Sequence, residues 1–247
     1  MRILTFILCL LSVNAFGEFD SSSDKTRNFL NKIKNDSEAT EEVKTKAEDG
    51  DARSQLYLAL IYFSGQGVAE DPVEGVKWLR KSALQDEAEA QYYLGSCYAD
   101  GVKGLAKNDF EAFKWIMKSA EQGNLDAQAE LGVLYKVGKG VTKDEVEAFK
   151  WFKKSAEQGN VMVQSDLAVC YIMGAGVPRD YVEGYAWLNL SCSGKFVMKR
   201  QREALNALER DMSPSQLEAG QKRSKQIQAE IDSRKASKEK KWWGFWR

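Results

Sequence analysis

The sequence predicts an all-α fold, a right-handed α-solenoid of four antiparallel helix pairs with N- and C-terminal capping helices. Three observations carry this expectation. Trp78, Trp115, Trp151 and Trp187 recur at spacings of 37, 36 and 36 residues, and self-similarity at a period of about 20–50 residues marks a repeat architecture. Around each tryptophan the same phrase returns, most fully in residues 120–155, AEQGNLDAQAELGVLYKVGKGVTKDEVEAFKWFKKS. Inside each copy the apolar period is helical, and only 3 prolines in 247 residues leave the helices unbroken.

Residues 1–17, MRILTFILCLLSVNAFG, read as a cleavable export signal. Arg2 is the charged leader, residues 3–13 are an apolar run too short to span a bilayer, and Ala15 and Gly17 are the small residues before a cut. A cut after Ala15 is the alternative. Residues 18–46 form a polar leader and N-terminal capping helices. Phe29, Leu30 and Ile33 mark one face of the first short helix; Ser37, with Glu41 nearby, opens a second that runs through Val43 and Ala47. That second segment stands where the latter half of a repeat would, and so closes the stack.

Four repeats follow across 47–192, at 47–82, 83–119, 120–155 and 156–191. The first helix of each carries a ladder, Gln55, Leu58, Ala59 and Tyr62 in the first copy and Gln128, Leu131, Gly132 and Tyr135 in the third. These spacings of 3, 1 and 3 fall on one helical face. Paired glycines then turn the chain, Gly138 and Gly140 in the third copy. They follow a helix rather than a strand, and no Gly-Lys-Ser or Gly-Lys-Thr ends them, which argues against a phosphate loop. The second helix opens on a capping box in every copy: Asp71 with Glu74, Asn108 with Glu111, Asp144 with Glu147, Asp180 with Glu183. In that motif the first side chain accepts from the N3 backbone N–H and the Glu reaches back to the cap N–H. Their place at helix starts makes these carboxylates caps rather than acid–base pairs. Gly123 and Gly159 end the second helices, and Asp86 stands in that place at the first junction.

Beyond the array, residues 193–234 form C-terminal capping helices. One spans Phe196 to Met212, with Val197, Ala204, Leu205 and Leu208 as its buried stripe; the next opens on Ser213, Pro214 and Gln216 and runs toward Ile231. Residues 235–247 are a basic aromatic tail. Residues 221–247 carry nine Lys and Arg against three Asp and Glu, a net of +6; the chain is neutral and residues 1–17 carry +1, so residues 18–220 carry −7.

Histidine is absent from the sequence. That removes Ser-His and Cys-His nucleophile pairs and every His-containing zinc site, so the chain is expected to be no enzyme and to need no cofactor and no metal. After signal removal three cysteines remain, Cys97, Cys170 and Cys192. Cys97 and Cys170 share the slot filled by Ile61 and Leu134 in the other copies and read as small core residues. No disulfide within the chain is expected, since Cys170 and Cys192 belong at opposite poles of one helix pair.

The phrase A-E-Q-G-N, A-Q, L-G, Y, G-x-G-V, D, E-A, W, K-S-A-E-Q-G within residues 123–159 and its flanks resembles the Sel-one-like repeat (SLR) family, relatives of the tetratricopeptide-type α-solenoids. The resemblance covers about residues 47–192. It implies an exported adaptor that binds a protein or peptide, periplasmic or secreted. Cysteine-rich relatives bind or hydrolyse β-lactams, but this chain lacks their paired cysteines in each repeat, which disfavours that alternative.

Tetratricopeptide relatives line a concave surface with their first helices, and such a surface suits an extended partner. By that analogy the partner-binding residues are Arg53, Leu56, Leu60 and Phe63; Glu89, Tyr92 and Ser96; Asp126, Ala129, Val133 and Lys136; and Met162, Ser165, Val169 and Ile172. They differ from copy to copy where the ladder does not. Packing against a neighbouring helix is the competing role for several of them. A second candidate is Lys240, Lys241, Trp242, Trp243, Phe245 and Trp246, a mixture that suits a peripheral membrane contact or a protein-docking peptide. Nucleic acid is not expected as a partner, because an exported acidic solenoid has little access to it.

Overall fold

Each helix pair closes through bonds at its ends, and those bonds explain the repeated letters. A computed structural model of the chain describes residues 36–193 and 199–244, without the side chains of Arg200 and 238–244. The export signal, the leader, the capping segment around Phe29, and Phe196 and Val197 lie outside the described residues. Among the described residues there are eleven helices and no sheet. They are α1 (Ser37–Glu48), α2 (Ala52–Ser64), α3 (Pro72–Leu84), α4 (Ala88–Asp100), α5 (Asp109–Glu121), α6 (Leu125–Val137), α7 (Glu145–Glu157), α8 (Val161–Met173), α9 (Tyr181–Ser191), α10 (Lys199–Asp211) and α11 (Pro214–Gly244). Two compact units divide the chain; the first runs through Leu134 and takes in Gly138–Thr142, and the second takes in Tyr135–Val137 and resumes at Lys143.

Second helices start as the capping pairs predict, with one correction. Asp71, Asn108, Asp144 and Asp180 each accept from the backbone N–H of the N2 and N3 residues at 2.9–3.2 Å. The cap's own N–H, however, donates to the backbone carbonyl of the preceding helix's ladder tyrosine: Tyr62, Tyr98, Tyr135 or Tyr171, at 2.9–3.0 Å. That carbonyl is one of the orphan acceptors at a helix end, so one bond serves both helices. The Glu at N3 is thereby released, and Glu74, Glu111 and Glu147 each pair with the Lys three residues on, at 2.5–2.8 Å. A reciprocal capping box does form at α11, where Gln216 Oε1 accepts from the Ser213 N–H at 2.9 Å and Ser213 Oγ accepts from the Gln216 N–H at 3.3 Å.

The turn glycines serve close approach as well as turning. At Gly140 (φ 72°) a Cβ would lie 2.0 Å from the Asp109 carbonyl, and at Gly176 (φ 73°) 2.0 Å from that of Glu145. Each therefore seats its turn on the start of the previous repeat's second helix, where no side chain fits. The second copy's turn has one extra residue, and a short bridge between Val102 and Leu105 closes it. Gly50, Gly123 and Gly159 end α1, α5 and α7 at φ 91–97°; Asp86 takes the same left-handed place after α3 at φ 61°.

In the first unit α1 packs on α2 as a second helix would, with Val43 and Ala47 buried beside Leu58 and Ile61. Buried polar side chains bind its helices together. Gln55, Gln91 and Gln128 donate Nε2 to the carbonyls of Ala47, Ala83 and Ala120, eight residues back, at 3.1–3.2 Å. The Oε1 of Gln55 and of Gln91 accepts from Gln85 and Gln122, both at 2.8 Å. Ser82 and Ser119, fully buried, donate to the carbonyls of Ala52 and Ala88 at 2.6 and 2.5 Å. Cys97 is buried, and burial pushes its thiol up to about 12.

In the second unit α9 departs from the other second helices. Lys77 and Lys81 flank Trp78, Lys114 and Lys118 flank Trp115, and Lys150 and Lys154 flank Trp151; all six are exposed. The later lysine of each pair sits over its tryptophan ring at 3.7–4.7 Å. Around Trp187 the matching residues are Ala186 and Leu190, both buried. The long helix α11 packs against α9, and its buried stripe is Gly220, Ser224, Ile227 and Ile231. Arg223 donates to Glu183 at 2.6 Å, and Arg234 pairs with Glu157 on α7 at 3.0 Å. In α10 the buried stripe is Leu205 and Leu208, continued by Met212 just past its end; Ala204, expected in it, is exposed. The last helix, α11, runs through Ile231 as expected and continues to Gly244. Among the described residues Cys97, Cys170 and Cys192 are free thiols, with only Cys192 partly exposed.

Candidate partner-binding face

The expected groove residues divide by burial. Leu56, Leu60 and Phe63 are buried at 0, 1 and 8% exposure, inside the cluster that Val43 and Ala47 join. Glu89 is buried at 4%. The first copy's apolar residues in these slots are thus core, a correction to their expected place on an open face. Arg53 stays exposed, and its guanidinium lies 3.7 Å from the Glu89 carboxylate, joining α2 to α4. Tyr92, Ser96, Asp126 and Ala129 are half-buried, and Val133 is exposed.

These residues make a charged, aromatic patch in the first unit. The Tyr92 and Tyr93 rings lie 5.7 Å apart. Burial, reinforced by the charges of Asp126 and Glu130, pushes the Tyr92 phenol far above its ordinary value. Burial and then Glu89 do the same to Tyr93. Both phenols therefore remain protonated donors. Tyr57, Tyr93, Glu130 and Asp166 were not among the expected residues. Each stands one position after a groove residue, so the signal was the neighbouring slot of the same repeat.

The second unit presents a different face. On α8, Met162 and Val169 are exposed, while Ser165 and Ile172 are half-buried. Met173, absent from the expected set, is 64% exposed and extends that apolar stripe. Lys136 is exposed and pairs with Asp166 at 3.3 Å. A cleft of about 160 Å³ lies where α11 meets α7, α8 and α9, lined by Tyr171, Trp187 and the paired charges of Arg223, Glu183, Arg234 and Glu157. Its charges are matched from within, as a helix-docking seam requires. Among the described residues no three His, Cys, Asp or Glu side chains gather as metal ligands, and no helix is long and apolar enough to cross a membrane. The side chains of Lys240, Lys241, Trp242, Trp243, Phe245 and Trp246 lie outside the described residues.

Comparison with known families matches the Sel1 repeat at residues 52–87, 88–124, 125–160 and 161–195, more than half of the chain. A Sel1 repeat protein from Oxalobacter formigenes is 26% identical over 76% of this chain and 85% of its own, with a TM-score of 0.62. The antigen c5321, a protective antigen present in uropathogenic Escherichia coli strains displaying an SLR fold, is 27% identical over 88% of this chain, with a TM-score of 0.42. This chain spans 62% of the length of that antigen. Comparison with curated proteins gives no match.

Proposed function

The chain belongs to the Sel1 repeat family, and from that premise we propose that it is an exported scaffold that binds a peptide or protein partner through the faces of its first helices. One observation carries this reading. The residues that recur in every copy are consumed by the fold, as caps, turns and buried bonds. Those that differ between copies on the first helices, Tyr92, Asp126, Val133, Met162 and Val169, keep part or much of their surface exposed. Surface that packing does not dictate is where partner specificity is placed in repeat proteins. Tyrosine beside charged and apolar residues suits a protein contact. The scaffold acts without catalysis, and export follows from residues 1–17.

The test is affinity capture from envelope extracts with the native chain and with Ala129→Arg/Val133→Glu, after circular dichroism shows the variant folded. The scaffold reading expects loss of specific partners. A folded variant that retains every partner refutes the role of this face. Sequencing the N-terminus of the exported chain checks the cut, expected before Glu18.

A further inference from the structure

The first unit separates its charges by helix. Its first helices with their caps, residues 51–64, 87–100 and 124–134, carry six acids against one base, Arg53, a net of −5. Its second helices with theirs, residues 71–84 and 108–121, carry five acids and five bases and are neutral. Lys81 and Lys118, two of those bases, lie over Trp78 and Trp115. Residues 36–134 together hold nineteen acids and ten bases, a net of −9.

On the first helices the acids meet tyrosines. Asp126 and Glu130 stand four residues apart, on one face of α6. Both charges reach the Tyr92 phenol on α4, and Asp126 also reaches Tyr93. The two tyrosine rings lie 5.7 Å apart. Arg53, the one base, is held 3.7 Å from Glu89 on α4. Tyr92, Asp126 and Glu130 are half-buried, and Val133, three residues beyond Glu130, is exposed. Carboxylates, an aromatic ring and an apolar flank therefore share one face inside a single unit.

Resting on the reading of these faces as partner-binding, we propose that the first-helix face of the first unit takes an extended, lysine- or arginine-bearing segment of a partner protein. Asp126 and Glu130 attract the cation, and the Tyr92 ring receives its charged head or its methylene stem. Val133 and Ala129 meet the apolar residues between cations. The acid excess draws a basic segment in and turns an acidic one away, because like charges brought together at an interface are penalised. The choice of partner is thus made by charge on this face, while the ladder residues beneath it keep the fold.

Fluorescence anisotropy with the full chain tests the proposal, using labelled short peptides that repeat Ser-Leu-Lys, Ser-Leu-Gln or Ser-Leu-Glu. The lysine peptide is expected to bind about tenfold or more tightly than the other two, and to weaken with salt. Asp126→Asn/Glu130→Gln is expected to lower its affinity roughly tenfold, at about threefold per carboxylate. Tyr92→Leu is expected to lower it about two- to fivefold. Glu38→Gln/Glu48→Gln removes the same charge from exposed positions on α1 and is expected to change it by less than about twofold. Equal binding of the lysine and glutamine peptides overturns the proposal, as does failure of the lysine peptide to bind. Equal losses from the α6 and α1 substitutions also overturn it, since the charge then acts from no particular face. Envelope partners that Asp126→Asn/Glu130→Gln retains and Ala129→Arg/Val133→Glu loses leave the scaffold reading intact and overturn only the choice of a cationic segment. Self-association of the native chain in sedimentation, abolished by Asp126→Asn/Glu130→Gln, overturns it by making the occupant a second copy.

Discussion

Replacing Gln91 by Met removes the polar end of a fully buried side chain while almost preserving its shape. The amide makes three bonds: Nε2 to the Ala83 carbonyl at 3.2 Å, Nε2 to Asp86 Oδ1 at 3.1 Å, and Oε1 from Gln122 Nε2 at 2.8 Å. Two of those partners, Asp86 and Gln122, are exposed and can turn to water. The Ala83 carbonyl, in a residue 1% exposed, cannot, but it still accepts from the Asp86 N–H at 3.2 Å. Each lost bond costs about 0.5–1.5 kcal/mol, with partial recovery where water replaces the partner. Relief of burying the amide offsets some of this. The expected destabilisation is about 1–2 kcal/mol, a fall in Tm of roughly 2–8 °C for a chain of this size. Gln122→Ala, which removes one bond from the exposed side, is expected to cost about 1 kcal/mol. Urea unfolding followed by far-UV circular dichroism measures both. A Gln91→Met variant within about 0.5 kcal/mol of the native chain, a typical surface-substitution effect, would refute the reasoning. The repeated glutamine would then need a role other than tying helices together.

Two further outcomes follow from the same structure. Ala186→Lys/Leu190→Lys restores the lysine pair of the other repeats beneath α11 and is expected to undock that helix, because buried ammonium groups without partners cost several kcal/mol. Limited proteolysis within residues 214–237 reports the undocking; Lys77→Ala/Lys81→Leu on the exposed face of α3 is the control, expected to leave stability within about 1 kcal/mol. Alkaline stability is the second. Burial raises the folded thiol of Cys97 to about 12 and that of Cys170 to about 11, from an ordinary value of 9. An unfolded thiol loses its proton first, so the stabilisation is complete below pH 9 and is lost as pH rises through the folded values, over pH 9–12. Tm is expected to fall across that window, and to fall less in Cys97→Ala. Native chain at pH 8 is expected to react with thiol reagents at Cys192 well before Cys97 or Cys170; equal rates would contradict the buried placement.

What the sequence reveals is the part of the structure that local chemistry decides. Cap residues, turn glycines and the slot shared by Ile61, Cys97, Leu134 and Cys170 are set within one or two helical turns, and they stand where the pattern puts them. Errors arise where a second element decides the outcome. Glu74 is spaced to reach back to the cap of α3, but the Tyr62 carbonyl reaches that N–H first, and only the fold of the turn brings it there. Leu56 and Tyr92 occupy one slot in two copies, yet Leu56 is core and Tyr92 keeps part of its surface. Register identifies the slot; the neighbouring helices decide its burial. Ala204 falls off the buried face because that face runs through Leu205, Leu208 and, just past the helix, Met212, a period that a small residue next to it does not reveal.

The exchange of two lysines for Ala186 and Leu190 bears on how such an array can change its length. The first and second copies are closed by the same bonds, Ser82 to the Ala52 carbonyl with Gln85 to Gln55, and Ser119 to the Ala88 carbonyl with Gln122 to Gln91. Duplicating or deleting one such unit would recreate glutamine, serine and glycine contacts of the kind already present. The fourth copy is not interchangeable with them. Duplicated, it would leave an apolar helix face in water; removed, it would bring lysines under α11. On this chemistry the last repeat and α11 would have to be gained or lost as one piece, leaving the earlier copies as the units that could be added or removed.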